Sequence, residues 1–191
     1  MNKGIEKATG EYVLFLNSGD YLNDESVLKK IFLENNFSED LFYGCIKTVK
    51  NGKTEIKKAP ETLTMDYLLN FSLPHPATFY KRALFEKFGY YNEDNKIVSD
   101  WEFNLKVLSF HNISYRRIDL LVSVFDLNGI SSQPGFDAIQ KKEGEKALSR
   151  IFSPILSSYI LESLRDKDEL KQLKNNRIIQ WAMKIAKIKG K

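Results

Sequence analysis

The chain has 191 residues, 42% of them hydrophobic and 28% charged, with a formal net charge of +4. That length supports one domain with a real core plus an appendage, and so mild a charge speaks against a nucleic-acid-binding surface. The single cysteine, Cys45, excludes an internal disulfide, no Cys/His set has zinc spacing, and no apolar run reaches the roughly 18 residues of a membrane span. A reducing, cytoplasmic compartment is expected.

In chain order, a short helix ends at Gly10, and the apolar run Tyr12-Val13-Leu14-Phe15-Leu16 predicts a strand covered on both faces. Asn17, Ser18 and Gly19 then favour a tight turn that ends in a carboxylate, Asp20. A carboxylate at the carboxyl end of a buried strand is placed to hold a metal carrying a phosphate. The same residues also read as a simple turn ahead of the next helix. That helix starts near Asp24-Glu25-Ser26, with Val27, Leu28, Ile31, Phe32 and Leu33 on one side. A strand over 40–49, the turn Lys50-Asn51-Gly52-Lys53 and a return strand over 54–58 predict a hairpin. Helices follow over 64–69, capped by Thr62 or Thr64, and over 81–88, stopped by Gly89, with a strand over 77–80 between them. Ser99 is expected to cap a helix over 100–110 whose core face uses Phe103, Val107 and Phe110. A strand over 113–124 and a turn over 128–132 lead through Pro134-Gly135 to a helical tail over 138–189. Alternating strands and helices predict an α/β fold, and the hairpin makes the sheet mixed. The expected division is a domain over 1–133 and a helical extension over 134–191.

A second carboxylate, Asp100, opens the helix SDWEF, beside Trp101 and two residues before Glu102. It reads either as a complement to the helix dipole or as an acid-base group. His75 lies between two prolines, in a rigid loop where a neutral imidazole serves as a donor or as a neighbour of metal ligands. Tyr90 and Tyr91 read as sugar-stacking residues or as rim packing. Lys81 and Arg82 read as phosphate contacts or as a solvated helix start, and His111 as structural. From Lys174 to Lys191 there are six basic and no acidic residues. Ile178, Trp181, Ala182, Ile185 and Ile188 share one face there, which suits an anionic membrane surface or docking on protein.

The segments NKGI with ATGEY, FLNSGD, HPATFYKR, FGYYNE and SDWEF occur in an order that resembles family 2 glycosyltransferases of the GT-A fold. The resemblance implies a GT-A-like mixed sheet flanked by helices, with a C-terminal helical extension. It implies an inverting enzyme that moves a sugar from a nucleotide-diphosphate donor, a UDP-sugar, to a glycan or lipid-linked acceptor in bacterial cell-surface polysaccharide synthesis. Asp20 matches the metal-binding aspartate, for Mg²⁺ or Mn²⁺, with Asn17 and Gly19 where other members carry acids. Asp100 matches the general base, with Glu102 as the fallback. The resemblance also sets Asn2, Asn17, Ser18, Gly19, His75, Trp101 and Glu102 around donor and acceptor. It covers about the last two-thirds of the family pattern, so the chain is expected to be a fragment, or to start at an internal methionine, without the half that grips the base. The rival expectation is a truncated, non-catalytic module that binds a glycan, membrane or partner. Lipid-linked acceptors in the family agree with a peripheral position at the inner face of the plasma membrane.

Overall fold

The computed structural model describes residues 1–34, 37–128 and 135–175, without the side chains of 173 and 174. The chain forms two compact units, Met1–Gly144 and Glu145–Lys191.

The first unit is built on a six-stranded sheet. Its strands are β1 (Tyr12–Val13), β2 (Tyr21–Leu22), β3 (Leu41–Lys50), β4 (Lys53–Lys57), β5 (Thr78–Lys81) and β6 (Tyr115–Asp126), in the order β1-β5-β3-β6-β2, with β4 also on β3. Among the described residues only the β3–β6 pair is parallel, so the sheet is mixed. One edge of β3 lies along β6, and the other is shared by β5, from Leu41 to Tyr43, and β4, from Ile46 to Lys50. The hairpin turns on Asn51 and Gly52, both at positive φ, as a two-residue Asn-Gly turn requires.

Side chains alternate along β3 and feed two cores. Leu41 and Tyr43 join Tyr80, Phe85, Phe103 and Val107 on one face, while Phe42 and Ile46 join Phe79, Val27, Ile31 and Val122 on the other. Phe42 faces Phe79 across the β3–β5 pair, their rings stacked at 4.8 Å. The first core is covered by α1 (Asn2–Lys7), α4 (Ala83–Phe88) and α5 (Ser99–Phe110), and the second by α2 (Val27–Phe32). A further helix of the sheet domain, α3 (Met65–Asn70), is capped by the Thr64 side chain, which accepts from the Tyr67 N–H. Cys45 is buried within β3.

Three local expectations are corrected. The strand expected over 12–16 stops at Val13, because only Tyr12 and Val13 find partners, on β5. Ser99 does not cap α5; it lies inside the helix, and its hydroxyl donates to the Asn92 and Asn95 carbonyls. Phe110 is 53% exposed, and Asn104 and Leu105 are buried on that helix instead.

The tail is not one helix. The helix α6 (Phe136–Ile151) runs across the boundary between the units, and α7 (Pro154–Asn175) follows after a break at Phe152-Ser153, where a proline opens the second helix. No helix among the described residues is long and apolar enough to cross a membrane. The basic amphipathic stretch at 178–191 lies outside the described residues.

Candidate active site

Two carboxylates and one imidazole organise the site. Asp20 closes the turn after β1: its N–H donates to the Asn17 carbonyl at 2.9 Å, and its Oδ2 accepts from the Asn17 N–H at 3.2 Å. Its Oδ1 accepts from the Asp126 N–H at 3.0 Å, which fixes the turn to the end of β6. Gly19 sits at φ +96°, and a Cβ there would lie 3.0 Å from the Asp126 carboxylate. Asp126 is therefore a second acidic group beside the turn, its Oδ1 accepting from the Asn128 backbone and side chain. Asn17, Ser18 and Gly19 are exposed around it.

His75 occupies a short 3-10 turn, His75–Ala77, entered through Pro74. Its ring stacks on Phe15 at 5.1 Å, and its Nε2 is buried without a partner among the described residues. Burial pushes its pKa below the ordinary histidine value, against the upward pull of Asp100 and Asp20. The imidazole is thus held neutral in the field of both carboxylates.

Asp100 sits in the first turn of α5, where its Oδ2 accepts from the Ser72 hydroxyl at 3.1 Å. It forms one wall of a cleft of about 470 Å³ that is also lined by Lys58, Tyr67, Phe71, Ser72 and His75. The start of α5 is held by Glu143, whose carboxylate accepts from the N–H groups of Lys96, Ile97 and Val98 at 2.9, 3.0 and 3.3 Å. Burial works to raise the Glu143 pKa, but these three donors bring it below the usual carboxylate range.

The other expected site residues anchor the framework. Glu102 is buried and accepts from the side-chain amides of Asn95 and Asn92. Asn2 donates to the Tyr91 carbonyl at 2.9 Å and to Glu93 at 3.0 Å, and accepts from the Tyr91 N–H, so it holds the same loop from the side of α1. Trp101 donates to the Leu68 carbonyl at 2.7 Å, tying α5 to α3. None of these three lines the cleft. Tyr91 is a core residue, whereas Tyr90 is 45% exposed. Arg82 pairs with Glu86, Lys81 reaches the Ser38 carbonyl and Glu11, and His111 stacks on Phe88.

Sequence reasoning missed Asp126, Ser72, Lys58, Phe71 and Glu143. Asp126 had a usable signal, since VSVFDLN ends an apolar strand in a carboxylate turn as FLNSGD does. The others stand far from Asp100 in sequence and carry no motif.

Among the described residues no three His, Cys, Asp or Glu side chains are grouped to hold a metal by themselves. One or two carboxylates suffice for a Mg²⁺ that also binds substrate phosphates. Asp20 and Asp126 are the acids at this turn from which such a pair would come.

No family model matches the sequence. A PGL/p-HBAD biosynthesis glycosyltransferase of Mycobacterium bovis is 29% identical over 135 residues, covering 69% of this chain and 52% of that protein. A protein of the same name from Mycobacterium tuberculosis matches to the same extent. The chain thus spans about half the length of the curated relatives it matches. Among solved structures, S. aureus TarS 1-349 in complex with UDP-GlcNAc has a TM-score of 0.55 at 19% identity, covering 84% of this chain and 49% of that one. The same protein in complex with UDP has a TM-score of 0.53 at 19% identity, with 84% and 47% covered. The fold is therefore GT-A-like, a mixed sheet flanked by helices, and the curated proteins to which the chain is similar are glycosyltransferases.

Proposed function

We propose that this chain carries the acceptor and metal side of an inverting glycosyltransferase of family 2 type, acting in cell-surface glycan synthesis. It would move a sugar from a nucleotide-diphosphate donor to a hydroxyl of a glycan or lipid-linked acceptor. The UDP-GlcNAc and UDP bound by the neighbour of like fold support a UDP-sugar as donor. The observation that carries the reading is Asp100, a carboxylate on the wall of a cleft with one oxygen held by Ser72.

In the proposed step the acceptor oxygen attacks the anomeric carbon as the bond to the diphosphate breaks, and the hydroxyl proton passes to the Asp100 carboxylate. Ser72 orients that carboxylate. The neutral His75 adds no positive charge to the surroundings of Asp100 and Asp20, so neither carboxylate is neutralised by an imidazolium. Asp20, with Asp126 beside it, would hold a Mg²⁺ or Mn²⁺, which when bound supplies a Lewis acid for the diphosphate.

The test is transfer from UDP-GlcNAc, followed by UDP release, in the chain and in Asp100→Asn. Loss of a general base predicts a fall in kcat of about 10²–10⁴-fold, with UDP affinity unchanged. Equal turnover by the two proteins would remove Asp100 from the chemistry. Absence of turnover in a folded chain that binds glycan would favour the non-catalytic module.

A further inference from the structure

The cleft beside Asp100 has two features that base catalysis does not use. The first is an aromatic ledge at the end of α3, where Phe71 is 60% exposed and its ring lies 5.4 Å from that of Tyr67. Tyr67 is fixed in turn by its hydroxyl donating to the Ser72 carbonyl at 3.3 Å. A large ring left open to solvent on the wall of a concave site presents a flat apolar face, the shape that the C–H face of a pyranose covers.

The second is charge. Lys57 and Lys58 both line the cleft at the end of the β3–β4 hairpin. Lys57 pairs with Glu55 at 2.7 Å, whereas Lys58 has no ion pair or hydrogen bond among the described residues. Asp100 stands on the same cleft. An anion is repelled from Asp100 and drawn to Lys58, so a ring with one charged substituent has a preferred direction in the cleft, while a neutral ring gains no charge pairing from Lys58.

We propose that this cleft is the acceptor subsite and selects a sugar ring bearing an anionic substituent, the ring resting on Phe71 and the anion meeting Lys58. The charge then sets the orientation, presenting a neutral hydroxyl to Asp100. The inference rests on the glycosyltransferase reading for the word acceptor, but the selectivity is a binding property that can be measured without turnover.

The experiment is an NMR titration of the full chain, with UDP and Mg²⁺ present, using p-nitrophenyl β-D-glucuronide and p-nitrophenyl β-D-glucoside. The two probes differ by a carboxylate in place of a hydroxymethyl group. A partly exposed charge pair predicts roughly fivefold tighter binding of the glucuronide. Lys58→Ala should abolish that preference and Lys58→Arg should keep it. Phe71→Ala should weaken both probes together, with the melting temperature of each variant reporting that it is folded. Equal affinity for the two probes, a preference that survives Lys58→Ala, or no binding of either would overturn the proposal. UDP-GlcNAc turnover is followed separately. Turnover without glucuronide preference sinks this inference and spares the transferase, whereas Lys58-dependent glucuronide binding without turnover supports the subsite and sinks the transferase.

Discussion

His75 concentrates the electrostatic tension of the site in one side chain. Its ring is stacked on Phe15, its Nε2 is buried, and two carboxylates act on it from different elements. Burial dominates, so its folded pKa lies below the unfolded value of about 6.5. The unfolded chain therefore takes up the proton first. Stability should fall as pH drops from about 6.5 towards the folded pKa, and this contribution should level off below it. His75→Phe keeps an aromatic ring for the stack and removes the titration. Between pH 7.5 and 5.5 its melting temperature should fall less than that of the parent, and parallel slopes for the two proteins would refute the assignment. Other residues earn their positions through geometry alone. Asn2, Trp101 and Glu102 spend their polar atoms on the backbone and amides of the loops around α5 and α3, which is why they frame the cleft without lining it.

At the scale of elements, α5 is the one whose placement decides the proposed site, because it carries Asp100 on the wall of the cleft. The segment that leads into it is held by Glu143 on α6, through the N–H donors of Lys96, Ile97 and Val98. The carboxylate form makes those bonds, so its folded pKa lies below the unfolded value of about 4.3. The stability it supplies is present above that unfolded value and is lost as pH falls through the folded one. Glu143→Ala should destabilise the sheet domain by roughly 1–3 kcal/mol, the ordinary cost of removing hydrogen bonds to a charged group. Hydrogen exchange of the amides of Lys96, Ile97 and Val98 should quicken selectively. Unchanged protection at all three would show that Glu143 does not brace the helix.

At the scale of the molecule, the two faces of the sheet depend on how closely β3 and β6 approach. The register slips on both sides of Cys45, and Gly44 lies at that irregularity. A Cβ on Gly44 would stand 2.6 Å from the Val122 side chain and 2.8 Å from the Leu120 carbonyl. The carbonyl belongs to the backbone of a central strand and cannot turn aside as a flexible side chain would. Gly44→Ala should therefore cost about 1–3 kcal/mol, as overpacking of a filled core does, and denaturant unfolding would measure it. A midpoint equal to that of the parent would mean that the parallel pair is looser than described. The described residues of the second unit, Glu145–Lys191, are helical apart from the break at Phe152-Ser153.

The elements that local chemistry dictates were legible in the sequence. The Asn51-Gly52 hairpin needs only two residues able to take positive φ, the Thr64 cap needs one hydroxyl, and Gly89 ends α4 at φ +87°. The pattern along 40–49 was enough to predict β3 as a strand, while its burial on both faces appears only in the structure. The carboxylate turn at Asp20 and the position of Asp100 at a helix start were equally readable, since each depends on its immediate neighbours. Partners across the chain were not. That Ser72 holds Asp100, that Glu143 holds the entry to α5, that Asp126 crowds Gly19 and that Lys58 and Phe71 share a cleft with Asp100 are facts of packing between distant segments. Hydrogen bonds and close approaches of that kind leave no periodicity along the chain. The sequence by itself thus determined most of the elements and singled out Asp20 and Asp100, and the tertiary structure alone decided which side chains surround them, because contact is set by sheet order and helix placement rather than by distance along the backbone.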